Sequence, residues 1–429
     1  MKNQFFLIFI SFSIIFQSLL LAETGVTILT LDNAIEIALE KSYNIKVLKL
    51  RVINAQEQLK AARGRFRTSA MMDFDAPAFS EQLSSIQQGY GFAVYNTRGL
   101  YRYQGNLNII QPLPTNGAIR LRSSASHLSE SYLTQLSTDT TTKRFSTSMS
   151  LIFTQPLFTI NELQYGLKRA RLNYEMATRF FSRRELDIIY QVTSEFYNVY
   201  QLTREEEIAL DQSRQQATNY ELARRKYEAG LIPEGEVLQM EVDYAESRNN
   251  LLQASGALKR GKDAFKQLIG LKLADKVGVQ TKFEYQSIQI DSSKAISEGL
   301  KHRAEIREGE IELELAKMSV RETDSRWEIK GELSAFYDLS GISTDNLADQ
   351  GWRTLLNSSL DDLKDRPRNK GVTFRLTVPI WDWGVNRAEV QAAKVAVETN
   401  EYDLVELKKT IVREIASAID AVREAWNRL

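Results

Sequence analysis

The stretch LTVPIWDWGVNRAEV, Leu376 to Val390, decides how this chain is read, together with FTQPLFTINELQYGL, Phe153 to Leu167. In both, an alternating strand runs into a proline, then aromatic residues, then a charged helical segment. Val372, Phe374, Leu376 and Val378 alternate with Thr373, Arg375 and Thr377, the period of two of a half-buried strand. Phe145, Met149, Leu151 and Phe153 alternate in the same way with Ser146, Ser148, Ile152 and Thr154. Proline has no N–H for the ladder and a fixed φ, so Pro156 and Pro379 end their strands. A single such site would read as an edge-strand proline beside core aromatics. Two in matching context read as one device used twice.

The match extends outward. DNAIEIALEKSYNIKVLKLRVINAQEQLKAARGRF, from Asp32 to Phe66, lies on SKAISEGLKHRAEIREGEIELELAKMSVRETDSRW with a shift of 261: Ala34, Ile35, Leu39, Ile45 and Ala55 fall on Ala295, Ile296, Leu300, Ile306 and Ala316. The later parts align with a shift of 223, which puts Pro156 on Pro379 and Phe158 on Trp381. Two copies of one plan are therefore expected, each reading helix, strands, helix. Copy one spans 23–270, a linker 271–292, and copy two 293–429. The smaller second shift leaves about 38 extra residues in copy one before its proline strand. The region 71–143 that holds them reads either as one long interrupted strand or as an extra hairpin about Pro114-Thr115-Asn116-Gly117. In copy two, GELSAFYDLSG (Gly331 to Gly341) is the expected partner strand, with a polar loop from Ile342 to Lys370.

The helices carry a coiled-coil rhythm. Leu163, Leu167, Ala170, Tyr174, Ala177 and Phe181 step by four and three, and the rhythm returns from Met240 to Leu268. No proline falls between Asn161 and Ala229, a span of roughly 100 Å if helical, while 31–66 and 235–270 would each run roughly 54 Å. Between the two seams, Gly230 suits a C-terminal cap and Pro233 the start of the next helix. Glu234 and Glu236 lie in its first turn, favourable to the helix dipole.

Composition limits the chemistry. Lys+Arg and Asp+Glu balance at 55 each, so no bulk charge argues for nucleic acid. There are no cysteines and two histidines, His127 and His302, which have no metal-ligand spacing and read as surface residues. Asp361 and Asp362 read as solvated loop charges. Gly89-x-Gly91 has no helix signal after it and is a poor nucleotide loop. No catalytic residue, metal site or cofactor is expected. Residues 1–22, one Lys followed by an apolar run ending near Ala22, read as a signal peptide.

These features together resemble the TolC-like outer-membrane efflux proteins: the signal peptide, the two copies, Leu31-Asp32-Asn33-Ala34 opening the first helix, QPLF and VPIW before long helices, and KYEAGLIPEGEVL between antiparallel helices. The resemblance covers residues 29–429. It implies a mostly α protein with membrane strands, four per protomer, in a homotrimeric 12-stranded barrel in the outer membrane of a Gram-negative cell. A periplasmic α-barrel of coiled-coil helices would follow. It implies a duct for an efflux pump or type I secretion system, with a periplasmic adaptor and an inner-membrane transporter as partners, outer-membrane lipid around it, no nucleic acid and no enzymatic activity. Pro156, Phe158, Pro379, Trp381 and Trp383 would form the strand-to-helix junctions. Tyr227, Ala229, Gly230, Leu231, Ile232 and Pro233 would form an adaptor-docking tip, with Glu228, Glu234 and Glu236 as an acidic mouth or a solvated helix end. Copy two stops at Leu429 without a second tip, which leads to the expectation that roughly 64 residues are missing. The cargo stays open, and so do two other readings: a periplasmic coiled-coil scaffold or adaptor that never enters a membrane, and a non-functional truncated copy of the duct.

Overall fold

The computed structural model describes residues 27–87, 93–134, 137–280, 289–343 and 351–428. In chain order they form β1 (Thr27–Leu29), α1 (Leu31–Lys41), α2 (Tyr43–Gly64), β2 (Ser69–Gln87), β3 (Ala93–Pro112), β4 (Ala118–Thr134) and β5 (Ser137–Leu157). Then come α3 (Glu162–Glu228), α4 (Glu234–Ile269), β6 (Val277–Val279), α5 (Ser292–His302), α6 (Ala304–Asp324), β7 (Lys330–Ile342), α7 (Trp352–Asp365), β8 (Asn369–Thr377) and α8 (Val385–Arg428). The proposed signal peptide and Gly89-x-Gly91 lie outside the described residues. The chain divides into two compact units: one from the described residues up to Ile53, Ala177–Glu305 and those from Val412 on, the other from Asn54–Met176 and Ile306–Ile411.

The first unit is helical. Ile188, Val192, Phe196 and Val199 of α3 are buried against Leu258, Phe265 and Ile269 of α4 and Ala34, Ala38 and Ile45 of α1 and α2. The rings of Phe196 and Phe265 meet edge to face, 6.2 Å between centroids. Such a cluster holds the helices because no single amphipathic helix is stable by itself. The parallel pair β1–β6 closes one side, so the linker 271–292 contains a short strand. The first helix of each expected copy is not continuous. Ser42 (φ −56°, ψ 133°) interrupts one and Arg303 (φ −63°, ψ 127°) the other, 261 positions apart, the offset of the sequence alignment.

The second unit holds one antiparallel sheet in the order β2-β3-β4-β5-β7-β8. The expectation of four strands is corrected to six among the described residues, because the extra length of copy one folds into a further hairpin. Of the two readings left open for 71–143, the hairpin is the observed one: Leu113 N–H donates to Gly117 O (2.8 Å), and Asn116 sits at φ 70°. A ladder starting at Ser69, the first residue of β2, runs through Ile110, Arg120, Ile152 and Phe336 to Gly371. Gly371 is six residues short of the end of β8, so five strand spacings accumulate a stagger of six residues. With the helix-side strand ends at one level, the strands tilt by about 40°, within the range of closed barrels.

The expected polar loop Ile342 to Lys370 contains α7, a second correction. Leu355, Ser359 and Leu363 recur at helical spacing, and Leu355 and Ser359 are fully buried against β5 and β7. The Ser359 hydroxyl donates to Gly341 O (3.0 Å) and lies 2.9 Å from the Thr147 hydroxyl. Asp362, expected as solvated charge, accepts the Ile342 N–H at 2.7 Å and pairs with Arg366 at 2.6 Å. A Cβ at position 341 would stand 2.0 Å from Ser359 O, so only glycine lets the helix lie this close. Gly341→Val is expected to undock α7 and leave the helices intact. Hydrogen exchange should accelerate several-fold across Trp352–Asp365 and stay unchanged in α3; equal protection in both proteins would contradict the contact.

Candidate functional site

The sheet presents two chemically distinct faces. One carries Met72, Phe74 and Phe79 of β2, Tyr101, Tyr103 and Leu107 of β3, and Ile119 and Leu121 of β4. It continues through Met149, Leu151 and Phe153 of β5, Leu333 and Tyr337 of β7, and Val372, Phe374 and Leu376 of β8, as the cross-strand register requires. Most are exposed, Val372 at 72% and Phe74 at 69%, an apolar surface no globular protein leaves to water. Along β5 the apolar run from Leu157 to Phe145 rises about 30 Å at the 40° tilt, the height of a membrane's apolar band. The opposite face is polar. Arg98 pairs with Glu130, Ser150 donates to Asp338, and Arg122 Nε donates to Asn108 Oδ1 at 3.3 Å. Arg102, Arg120, Arg144, Glu332 and Arg375 share that face by register.

At the two junctions the backbone takes an unusual turn. Phe158 (φ 59°) and Trp383 (φ 57°) both occupy the left-handed region, where bulky side chains are rare. Pro156 and Pro379 lie just ahead of them. The Phe158 ring packs over Gly331, where a Cβ would meet it at 3.1 Å. Trp381 and Trp383 form an edge-to-face pair, 5.3 Å between centroids, and both are exposed. Asp382 starts α8 by accepting the N–H groups of Gly384 and Asn386, each at 2.8 Å. Asn161 does the equivalent for α3, accepting from Gln164 N at 3.0 Å. It also donates to Pro114 O at 2.6 Å, while Gln155 donates to Thr115 O at 2.9 Å. The tip of the added hairpin is thus tied to the start of α3, a contact no sequence motif announced.

The turn between α3 and α4 has the helix-capping geometry its residues suggest. Gly230 (φ 74°) donates to Tyr227 O at 2.8 Å, and Leu231 donates to Lys226 O at 2.8 Å. This paired capping satisfies two terminal carbonyls and needs the left-handed residue that glycine supplies. Pro233 is the N-cap of α4. Tyr227, Ala229, Gly230, Leu231 and Pro233 are exposed, Leu231 at 72%, and Ile232 is half-buried. Glu228, Glu234 and Glu236 are exposed beside them, but Glu228 accepts from Arg224 at 3.1 Å, so the acidic group is partly neutralised.

His302 is exposed and pairs with Glu298 at 3.1 Å. His127 is not the free surface histidine expected. It is half-buried on the apolar sheet face between Tyr103 and Phe145, with ring centroids 6.3 and 6.1 Å away. Among the described residues no group of His, Asp and Glu could hold a metal ion, and no helix is long and apolar enough to cross a membrane.

Residues 116–271, from the added hairpin's turn through β4, β5, α3 and α4, match the family described as outer membrane efflux protein. The resemblance to the outer-membrane efflux proteins holds. Solved channels share the fold. CusC superposes with a TM-score of 0.62 at 15% identity, over 93% of this chain and 76% of its own. VceC, an outer membrane protein of Vibrio cholerae, gives 0.59 at 16%, over 93% and 80%. The CmeC outer membrane channel of Campylobacter jejuni gives 0.59 at 12%, over 93% and 74%. No curated protein sequence matches the chain.

Asn161→Ala removes both the cap of α3 and the bond to Pro114. It is expected to destabilise the folded protein by about 1–2 kcal/mol, read as a lower temperature for losing the folded form in detergent. Gln164→Ala, which leaves the cap in place, should cost less.

Proposed function

We propose that this chain is one protomer of a homotrimeric outer-membrane exit duct, receiving substrate through a periplasmic adaptor from an inner-membrane transporter and releasing it outside the cell. The observation that carries the reading is the two-faced sheet. Its exposed apolar face, its tilt and its height are those of strands in lipid, and its polar face suits a water-filled lumen. A periplasmic scaffold would have no use for such a face. The duct does no chemistry of its own; the transporter supplies the energy, whether in a tripartite efflux pump or a type I secretion system.

Among the described residues the sheet ends in two unpaired edges, β2 and β8. In lipid an open edge leaves N–H and C=O groups unsatisfied, each at a cost of several kcal/mol, so the edges of neighbouring copies pair and the sheet closes. Three six-stranded sheets make a barrel of eighteen strands. At a tilt of about 40° it would be about 36 Å across, where a twelve-stranded barrel would be about 24 Å. Pro156, Phe158, Pro379, Trp381 and Trp383 would stand at the inner membrane boundary, where aromatics are favoured. Tyr227, Ala229, Gly230, Leu231, Ile232 and Pro233 would meet the adaptor, and Glu228, Glu234 and Glu236 would bias the mouth toward cations.

The absence of cysteine makes closure directly testable. Asp73→Cys on β2 combined with Thr373→Cys on β8, oxidised in isolated outer membranes, is expected to link chains into covalent trimers on a denaturing gel. Monomers alone, with the protein folded in the membrane, would overturn the closure. At the tip, Leu231→Asp is expected to lower adaptor co-purification at least about tenfold, as for loss of a buried apolar anchor, with membrane abundance unchanged. Undiminished recovery would remove the tip from the docking surface.

A further inference from the structure

The apolar sheet face is not uniform. Over β2 to β5, near its outer margin, lies a groove of about 650 Å³. Gly105, Ser123 and Ala125 form its floor because their side chains are the smallest in their rows. Phe74, Tyr103, Phe145 and Trp352 form its walls. Trp352 is the first residue of α7, so the helix that docks on β5 and β7 also shapes one end of the groove.

Charge is placed at one margin only. Lys143 follows Phe145 on the same face, since Ser129 pairs with Lys143 just outward of the His127–Phe145 pair. The Arg353 guanidinium carbon lies 5.4 Å from the centre of the Trp352 ring. His127 lines the groove on β4, one same-face step from Ala125 on the floor and one from the Ser129–Lys143 pair. Glu81, an acidic side chain on this face, is one same-face pair farther out, on the edge strand. The result is an apolar groove with basic groups at its outer end, at about the height where a bilayer's headgroups begin.

From this geometry we infer that the groove is a binding site for one phosphorylated acyl lipid of the outer leaflet. Its chain lies on the Gly105–Ser123–Ala125 floor, and its phosphate is held by Lys143 and Arg353. The site rests on the reading that this sheet face meets lipid. Its position follows from α7 and the added hairpin: β3 and β4 supply the floor and the start of α7 one wall.

The test uses the full chain in vesicles of phosphatidylcholine containing phosphatidylglycerol, with bromine carried on the acyl chains of one lipid or the other. Bromine quenches nearby tryptophan, and the difference between the native protein and Trp352→Phe isolates Trp352. Each surface basic residue is worth about fivefold for an anionic lipid. Quenching of Trp352 should therefore show roughly a twenty-five-fold preference for brominated phosphatidylglycerol over brominated phosphatidylcholine. Lys143→Gln with Arg353→Gln should bring that preference close to one. Ala125→Leu, which fills the floor and keeps both charges, should also reduce it. Equal quenching by the two lipids in the native protein, or a preference unchanged in the double variant, would overturn the site and leave the duct reading standing. No quenching of Trp352 by either lipid in correctly incorporated protein would show that this face is not in the bilayer, and would sink both.

Discussion

The open edges of the six-stranded sheet are the constraint on which everything else depends. A sheet with one apolar face can hide that face against helices or against lipid, but an edge has only one kind of partner, another strand. Among the described residues neither remedy is complete: α7 lies on the apolar face over β5 and β7, and β2 and β8 end the ladder. The stagger of six residues across the sheet carries a tilt within the range of closed barrels, which is what the proposed pairing of neighbouring copies requires.

The helices face a different problem. Leaving the sheet means changing from a period of two to one of 3.6 within a few residues, while the strands end and terminal N–H groups need partners. Both junctions solve it with the same components in a different order. A proline stands at the strand end. Pro156 is the second-last residue of β5, still paired with Glu332 rather than stopping the strand as the sequence suggests, and Pro379 lies two residues beyond β8. An aromatic residue is held at positive φ, and a short polar side chain, Asn161 or Asp382, accepts the first helical N–H groups. Strain at Phe158 and Trp383, of order 1–3 kcal/mol each, is sustained only because the surroundings over-determine the turn.

Much of this was legible in the residues because it is periodic. The alternation in Phe145–Phe153 and Val372–Val378, the absence of proline from Asn161 to Ala229 and the Gly230–Pro233 spacing each correspond to a local physical requirement, and those strands, α3 and the tip lie where they were expected. What was not legible is what depends on distance along the chain. The region 71–143 alternates weakly, with Gly99, Gly105 and many serines, so its strand count was undecided until register fixed it. Ser42 and Arg303 break their helices without proline or glycine at the break. The helix α7 had a signal, Leu355, Ser359 and Leu363 at helical spacing, but it was masked by serines and aspartates that look like loop. Gly341 explains those serines only once Ser359 is seen against it. The groove combines four strands and α7, and no single segment of sequence contains it.

The added hairpin has a geometric rationale in the duct reading. Four strand ends in each copy connect to helices: β2 to α2, β5 to α3, β7 to α6 and β8 to α8. Four helices packed side by side at 8–10 Å need roughly 32–40 Å of circumference. Six strands at about 4.8 Å, tilted by about 40°, occupy about 38 Å, whereas four would occupy about 25 Å. With β3 and β4 present, the strands of one copy match the girth of its helices, so the chain can pass from barrel to tunnel without a step in radius. The two strands that have no helix below them then leave a gap at the rim. The turn Leu113–Gly117 occupies it, and the bonds from Asn161 and Gln155 to Pro114 and Thr115 hold that turn against the helix start it must adjoin. Insertions elsewhere in the sheet would widen the barrel without such an anchor. The hairpin and the asparagine that ties it to α3 are therefore best understood as one feature.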